Sequence, residues 1–273
     1  MEIPSVDYCP KFLSNIESWH GHVFFARDLI QNIKPSVIVE LGVHKGDSLF
    51  SMAEACAESN LKTKLYGIDH WQGDSQSGYY DNDVYDYVVG VQDNYFKQVE
   101  LVRSTFNDAL KLFTDSSIDI LHIDGFHTYE ATKNDFEKWF PKVKNNGVIL
   151  LHDIASKNEN FGVCKFWNEI KEHFKSFQFE HSQGLGVILK NNFIFNKLFI
   201  KRILNKEYQH SFNIYYSLLS TLLRLKRMAL CSNHPFEKQM YQIEIKFCKK
   251  AAIQQFKSIN TYPLLMWFLK YVR

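Results

Sequence analysis

Between residues 36 and 190, short apolar runs alternate with stretches whose apolar residues recur at helical spacing. Ser36–Leu41, Lys64–Ile68, Val99–Arg103, Ile118–Ile123 and Val148–Leu151 are brief, rich in Ile, Leu and Val, and bounded by turn residues. That pattern predicts buried parallel strands. Helical spacing marks His22–Ile33, Leu49–Ser59 with Asp47 or Ser48 as its cap, a stretch ending near Phe113, the segment between Ile123 and Val148, and Val163–Phe174. Ser176–His181 and Leu185–Leu189 flank Ser182-Gln183-Gly184 and predict a hairpin. The sum is an α/β fold, a seven-stranded doubly wound sheet closing with a terminal antiparallel hairpin.

Three regions break the alternation. Met1–His20 holds Pro and little periodicity, which predicts an N-terminal arm on the surface; the arm is taken as 1–21 and the α/β domain as 22–190. Residues 70–95 are polar and aromatic without a clean strand, a loop with a helix placed to cover the mouth of a crevice. Residues 191–273 show no strand pattern and predict a C-terminal helical extension, with helices over Phe212–Leu230 and from Asn233-His234-Pro235 onward.

Composition adds a charge asymmetry. The chain of 273 residues is 45% hydrophobic and 23% charged, with a net charge of +2, as expected of a globular protein. Residues 1–190 hold 18 Lys and Arg against 27 Asp and Glu, whereas residues 191–273 hold 14 against 3. A basic extension of this kind suits an acidic partner or a membrane surface. Either the extension packs on the core or on a second copy of the chain, or Leu218–Leu230 and Tyr262–Arg273 make a peripheral membrane contact. The basic residues lack the interleaved glycine–aromatic pattern of an RNA-binding sheet, so no nucleic-acid partner is expected. Five scattered cysteines, no apolar run long enough to span a bilayer and no basic-then-apolar leader predict a cytoplasmic protein.

The chemistry concentrates at predicted strand ends. A strand–helix–strand crossover is right-handed, so Asp124 and Asp153 fall at one sheet edge, where open α/β sheets bind ligands. Two carboxylates there suit Mg²⁺ or a similar cation. His152 either adds an imidazole ligand, favouring Mn²⁺ or Fe²⁺, or faces the other side of its strand in a core hydrogen bond. His127 is either a general base or a helix-capping or surface histidine. Glu40-Leu41-Gly42 through Gly46 and Ser48 is a glycine turn entering a helix. It either brings backbone close to a ligand, with Glu40 accepting from a cationic amine, or is an ordinary strand-to-helix turn. Asp69 either binds ribose hydroxyls or is a solvated strand end, and Trp71 either covers an adenine or packs on a neighbour. No GxSxG, HExxH or Walker spacing is present.

Together VIVELGVHKGDS, GIDHWQGD with the following GYY, LHIDGFHTYE, GVILLHD and QGLGVIL, within Trp19–Lys190, resemble the class I S-adenosylmethionine (SAM)-dependent methyltransferases, which have a Rossmann-like fold. The closest likeness is to the bacterial subgroup associated with glycosyltransferases and surface polysaccharides. Asp124-x-x-His127 is similar to the pair in metal-dependent macrolide-sugar O-methyltransferases, where the Asp binds Mg²⁺ and the His is the base; cephalosporin-hydroxylase-like proteins are a further relative. The sugar enzymes carry two adjacent acidic residues after the fifth strand, where this chain has His152-Asp153.

The resemblance implies that Gly42 and Gly46 flank the methionine part of SAM, that Asp69 holds the ribose and that Ser104, Thr105 and Phe106 border the adenine. With Glu40, Ser48, Trp71 and Asp124 these form the expected cofactor-binding set; Asp124 and His127 form the expected catalytic pair; Asp124, His152 and Asp153 are the expected ligands of Mg²⁺ or Mn²⁺. The function expected is O-methylation of a sugar hydroxyl on a glycan or nucleotide-sugar intermediate. The alternatives are a SAM-binding scaffold partnering a glycosyltransferase and a metal-dependent oxygenase. A homo-oligomer is a further expectation.

Overall fold

The computed structural model describes residues 6–158, 160–191 and 198–271, with backbone alone for 198 and 260–271. Seven strands form one sheet: β1 (Val37–Leu41), β2 (Lys64–Asp69), β5 (Val99–Arg103), β6 (Ile118–Ile123), β7 (Val143–His152), β8 (Lys175–Phe179) and β9 (Leu185–Leu189). Their spatial order is β5-β2-β1-β6-β7-β9-β8, with β9 antiparallel to both β7 and β8 and every other pairing parallel. Between β2 and β5 lie a small hairpin, β3 (Gly73–Asp74) and β4 (Gly78–Tyr79), and a helix. The helices are α1 (Val23–Ile33), α2 (Asp47–Glu58), α3 (Asp83–Tyr95), α4 (Phe106–Ala109), α5 (Tyr129–Trp139), α6 (Val163–Ile170), α7 (Leu198–Ile203), α8 (Lys206–Cys231) and α9 (Pro235–Tyr271).

Alternation along each strand divides the core into two layers. Ile38, Ile120, Val148 and Leu150 face α1, α2 and the C-terminal helices, while Val39, Leu41, Leu121, Ile123, Ile149 and Leu151 face the layer containing α5 and α6. The sheet is therefore doubly wound and Rossmann-like. β7 begins at Val143, earlier than expected, because Lys144–Gly147 extends the strand across a register irregularity opposite Ile118–Ile120.

Neither Asp47 nor Ser48 caps α2. Gly46, at φ +86°, is the N-cap and makes no side-chain cap. Asp47 instead accepts from the backbone N–H and hydroxyl of Ser14, both at 2.6 Å, and contacts His20 Nε2 at 3.1 Å. The segment before α1 is thereby drawn inward: Val6, Tyr8, Ser14, Trp19 and His20 are buried, so it is not a surface arm.

The C-terminal helices share the core of the sheet. Phe25 of α1 meets Phe179 at 4.8 Å and Tyr216 of α8 at 5.6 Å between ring centroids. Leu219, Leu222, Leu223 and Leu225 are buried, so the apolar side of Leu218–Leu230 is taken up by packing rather than offered to lipid. Tyr262–Arg273 lies outside the residues whose side chains are described. Part of the extension's positive charge is met within the chain: Lys249 pairs with Asp7 at 2.6 Å, and Lys226 and Arg227 donate to the carbonyls of Val6 and Ser14. Among the described residues no helix is long and apolar enough to cross a membrane.

Tyr216 Oη donates to Asp28 at 2.6 Å, joining α8 to α1. Burial pushes the Asp28 carboxyl up to about 7, against that hydrogen bond and the charge of Arg27. A carboxyl raised on folding stabilises the fold below its unfolded pKa, and that stability is lost as pH climbs through the folded value. The loss amounts to about 4 kcal/mol by pH 8, at ~1.4 kcal/mol per pH unit. Asp28→Asn keeps an acceptor for Tyr216 and cannot ionise. It is expected to be the more stable protein at pH 8 in denaturant titrations and to flatten the decline between pH 4 and 7; an unchanged slope would remove Asp28 from this account.

Candidate active site

The C-terminal ends of β1, β2, β6 and β7 open into a cleft of about 940 Å³, within the size range of small-molecule sites. Gly42, Asp69, Thr105, Phe106, Asp124, His127, His152 and Asp153 all line it. The crossover rule thus brings the expected cofactor turn and the expected acid–imidazole group to one rim.

On the β1 side, Gly42 has φ +87°, and a methyl group there would collide with the Asp124 carbonyl. The glycine is needed so that the loops after β1 and β6 can meet, and this sets the floor of the cleft. Asp69 accepts from Val43 N (2.9 Å), His44 N (3.0 Å) and Trp71 N (2.7 Å). Of about four lone-pair positions on a carboxylate, this leaves one for a ribose hydroxyl. The first work of Asp69 is to shape the β1 loop.

Several expected cofactor residues lie elsewhere. Glu40 is fully buried on the α1–α2 face, where Ser48 Oγ donates to Oε1 at 2.6 Å. Its Oε2 lies 3.2 Å from His122 Nδ1, a close contact without hydrogen-bond geometry. Trp19 Nε1 donates to His122 Nε2 at 3.2 Å, which places the ring proton on Nδ1, toward Glu40. Glu40 is therefore not available to a cationic amine in the cleft. Trp71 is also fully buried: its indole donates to the His44 carbonyl at 2.9 Å and its ring packs on Tyr85 at 4.9 Å, so it covers no adenine. Gly46 abuts the Phe50 ring, and Ser104 and Gly46 lie off the cleft lining. Thr105 lines the cleft while capping α4 through Asp108 N.

The acid–imidazole cluster is tight. His152 Nδ1 lies 3.2 Å from both Asp124 Oδ1 and Asp153 Oδ2, and its Nε2 lies 3.1 Å from the Ser182 carbonyl. A carbonyl only accepts, so Nε2 carries a proton and Nδ1 faces the two carboxylates. Burial opposes a charged His152, but Asp124 and Asp153 hold its pKa well above the usual value. Burial likewise opposes ionisation of Asp124, yet His152 and His127 hold its carboxyl well below the usual range. His152 thus faces the cluster rather than an unrelated core contact.

The donor atoms of Asp124, His152 and Asp153 lie within 4.8 Å of one another. A lone pair and two carboxylates aimed at one point require a cation there, either a proton on Nδ1 or a metal ion. A metal-bound histidine commonly donates its other ring N–H to a carbonyl, which holds the ring in place, as Nε2 does here to Ser182. The residues fit a divalent ion.

His127 Nε2 lies 2.9 Å from Asp153 Oδ2 and 3.7 Å from Asp124 Oδ1. Burial disfavours its charged form, but Asp124 and Asp153 outweigh that and raise its pKa to about 9. Thr128, not His127, caps α5 through Ala131 N, so the imidazole is free to face the cleft. Ile16, Ser18 and Trp19 of the N-terminal segment, which the sequence pattern did not reveal, complete the walls with Tyr79 and Tyr80 from the region expected at the cleft mouth and with Phe161, which stacks on His127 at 4.2 Å and 7°.

Residues 39–154 match a family described as a methyltransferase domain. That match runs from β1 to the end of β7, the part of the sheet whose strand ends line the cleft. An uncharacterized protein, y4gI, of Sinorhizobium fredii is 37% identical over 179 residues, covering 66% of this chain and 20% of its own. The chain therefore spans about a fifth of the length of that curated relative. Among solved structures, the SAH-bound methyltransferase PaMTH1 of Podospora anserina aligns with a TM-score of 0.49 and 13% identity, covering 62% of this chain and 77% of that one. The O-methyltransferase TomG of Streptomyces achromogenes, involved in tomaymycin synthesis and in complex with SAM, aligns with a TM-score of 0.46 and 12% identity, covering 66% and 92%. Likeness at that level says nothing of substrate.

Proposed function

We propose that this chain transfers the methyl group of SAM to a sugar hydroxyl, on a glycan or a nucleotide-sugar intermediate. The supporting observation is the single cleft in which the Gly42 loop and Phe106 face the cluster of Asp124, His127, His152 and Asp153. An acceptor is held between the cluster and a rim of aromatic and amide side chains, Tyr79, Tyr80, Asn107 and Asn158. With His127 in its neutral form, Nε2 free of a proton, the hydroxyl oxygen attacks the methyl carbon, the carbon–sulfur bond breaks with its electrons passing to sulfur, and the hydroxyl proton goes to His127 Nε2. The sulfonium is already activated, so alignment is the larger task of the protein and can lower the barrier by several kcal/mol. Asp124, His152 and Asp153 would hold a divalent cation, Mg²⁺ or Mn²⁺, which would polarise the acceptor hydroxyl and offset the carboxylate charge now bound to His127.

Transfer of labelled methyl from SAM to a panel of glycans and nucleotide sugars tests the reading. Label in the sugar fraction is expected; tight SAM binding with no transfer to any hydroxyl acceptor would favour a scaffold instead. The cation has its own test. Mn²⁺ titrated into the protein by calorimetry is expected to bind at one site, weakened at least about tenfold in Asp153→Asn and in His152→Ala. Equal affinity in all three proteins would place the ion elsewhere.

A further inference from the structure

The β3–β4 hairpin does more than roof the cleft. Gln76 sits at its tip, held there because Asp74 Oδ1 accepts from the backbone N–H groups of Gln76 and Ser77, both at 2.7 Å. Gln76 Oε1 lies 2.9 Å from the backbone nitrogen of His127 and 3.0 Å from its Nδ1. The backbone N–H can only donate, so the amide oxygen must face His127. The amide nitrogen points the other way, to the Asn160 carbonyl at 3.4 Å. With an oxygen in that place, Nδ1 is required to be a donor as well. One acceptor therefore fixes the ring proton on Nδ1 and leaves Nε2, 2.9 Å from Asp153, as the nitrogen that exchanges protons in the cleft. Phe161, stacked face to face on the same ring, limits its turning.

We propose that Gln76 is a positioning residue that sets the tautomer and orientation of His127, so that the base is correctly presented only when the β3–β4 hairpin lies over the cleft. This rests on the reading of His127 as the base in methyl transfer. Its structural half is independent of that reading, since the tautomer exists whether or not any methyl group moves. A hairpin carrying an exposed tyrosine, Tyr79, at the acceptor rim then couples acceptor capture to the presentation of the base.

The test pairs a spectroscopic readout with kinetics. Nitrogen-15 histidine NMR, with His127→Gln assigning the signal, is expected to show His127 carrying a proton on Nδ1 in the wild type on both sides of its titration. Gln76→Met, which keeps length and loses the acceptor, and Gln76→Ala are expected to populate the Nε2–H tautomer once the ring is neutral. In both variants kcat is expected to fall about 10- to 100-fold, a part of the contribution of a general base, with KM for SAM changed less than about threefold. Gln76→Glu restores an acceptor oxygen and is expected to recover the Nδ1 proton and most of kcat. Gln76→Met with an unchanged Nδ1 proton would overturn the proposal whatever the activity. Loss of the Nδ1 proton with unchanged kcat would overturn the role of Gln76 in turnover. A wild type that transfers no methyl group contradicts the function proposed above, and the proton signals still decide the role of Gln76.

Discussion

Replacing His127 with alanine is expected to lower kcat by about 10²- to 10⁴-fold, the range over which a positioned general base acts. SAM affinity should stay within about twofold. The two effects separate because His127 stands on the β6–α5 loop beside Asp124 and Asp153, whereas the proposed cofactor side of the cleft is built from the β1 loop and the start of α4. Removing the imidazole also leaves Asp153 without its 2.9 Å partner, so a cation at Asp124, His152 and Asp153 should bind no worse and even somewhat better. Steady-state kinetics with a SAM-binding titration on the same preparation checks the split. Unchanged turnover would remove His127 from the chemistry. A large loss of SAM affinity would mean that the imidazole belongs to the cofactor pocket.

The second large effect is on the fold. Gly42→Ala is expected to destabilise the protein by about 3 kcal/mol or more, lowering Tm by roughly 10 °C at 2–4 °C per kcal/mol. Two costs coincide: a left-handed backbone at φ +87° and a methyl group driven into the Asp124 carbonyl. Relief requires the β1 and β6 ends to part. Asp124 would then move off His152, so loss of cation binding should accompany the loss of stability. Gly90 of α3 is the control, because a side chain there meets nothing within 4 Å. Gly90→Ala is expected to be neutral or slightly stabilising, as where a helix interior leaves room for the added methyl group. Equal behaviour of the two variants would show that the Gly42 turn is not the tight junction described.

How much of this was legible in the sequence depended on how regular the local pattern is. The convergence of Asp124, His127 and Asp153 was legible because an apolar run, a helix and a second apolar run leave one chirality and hence one edge. The facing of Glu40 was also encoded, though it was not used. It lies between Val39 and Leu41, so its side chain must point away from theirs, into the α1–α2 layer. The hairpin carrying Gln76 was not legible, since its strands are two residues long and leave no period to detect. The burial of Trp19 and His20 was hidden for a related reason. Their segment is fixed by polar contacts to Asp47 and His122, and such contacts between distant residues have no signature along the chain. His152 carried two readings that sequence could not separate, and its ring serves both contacts: Nε2 meets the Ser182 carbonyl on the hairpin turn while Nδ1 faces Asp124 and Asp153.

Methyl transfer as proposed requires methyl donor and base to meet in this one cleft. A crystal structure of the protein with S-adenosylhomocysteine and Mn²⁺ measures that directly. The nucleoside is predicted to lie between the Gly42 loop and Phe106 with its sulfur turned toward His127 Nε2, and an anomalous peak is predicted among Asp124, His152 and Asp153. Density for the nucleoside on another face, or a sulfur turned away with His127 out of reach of any acceptor, would contradict it.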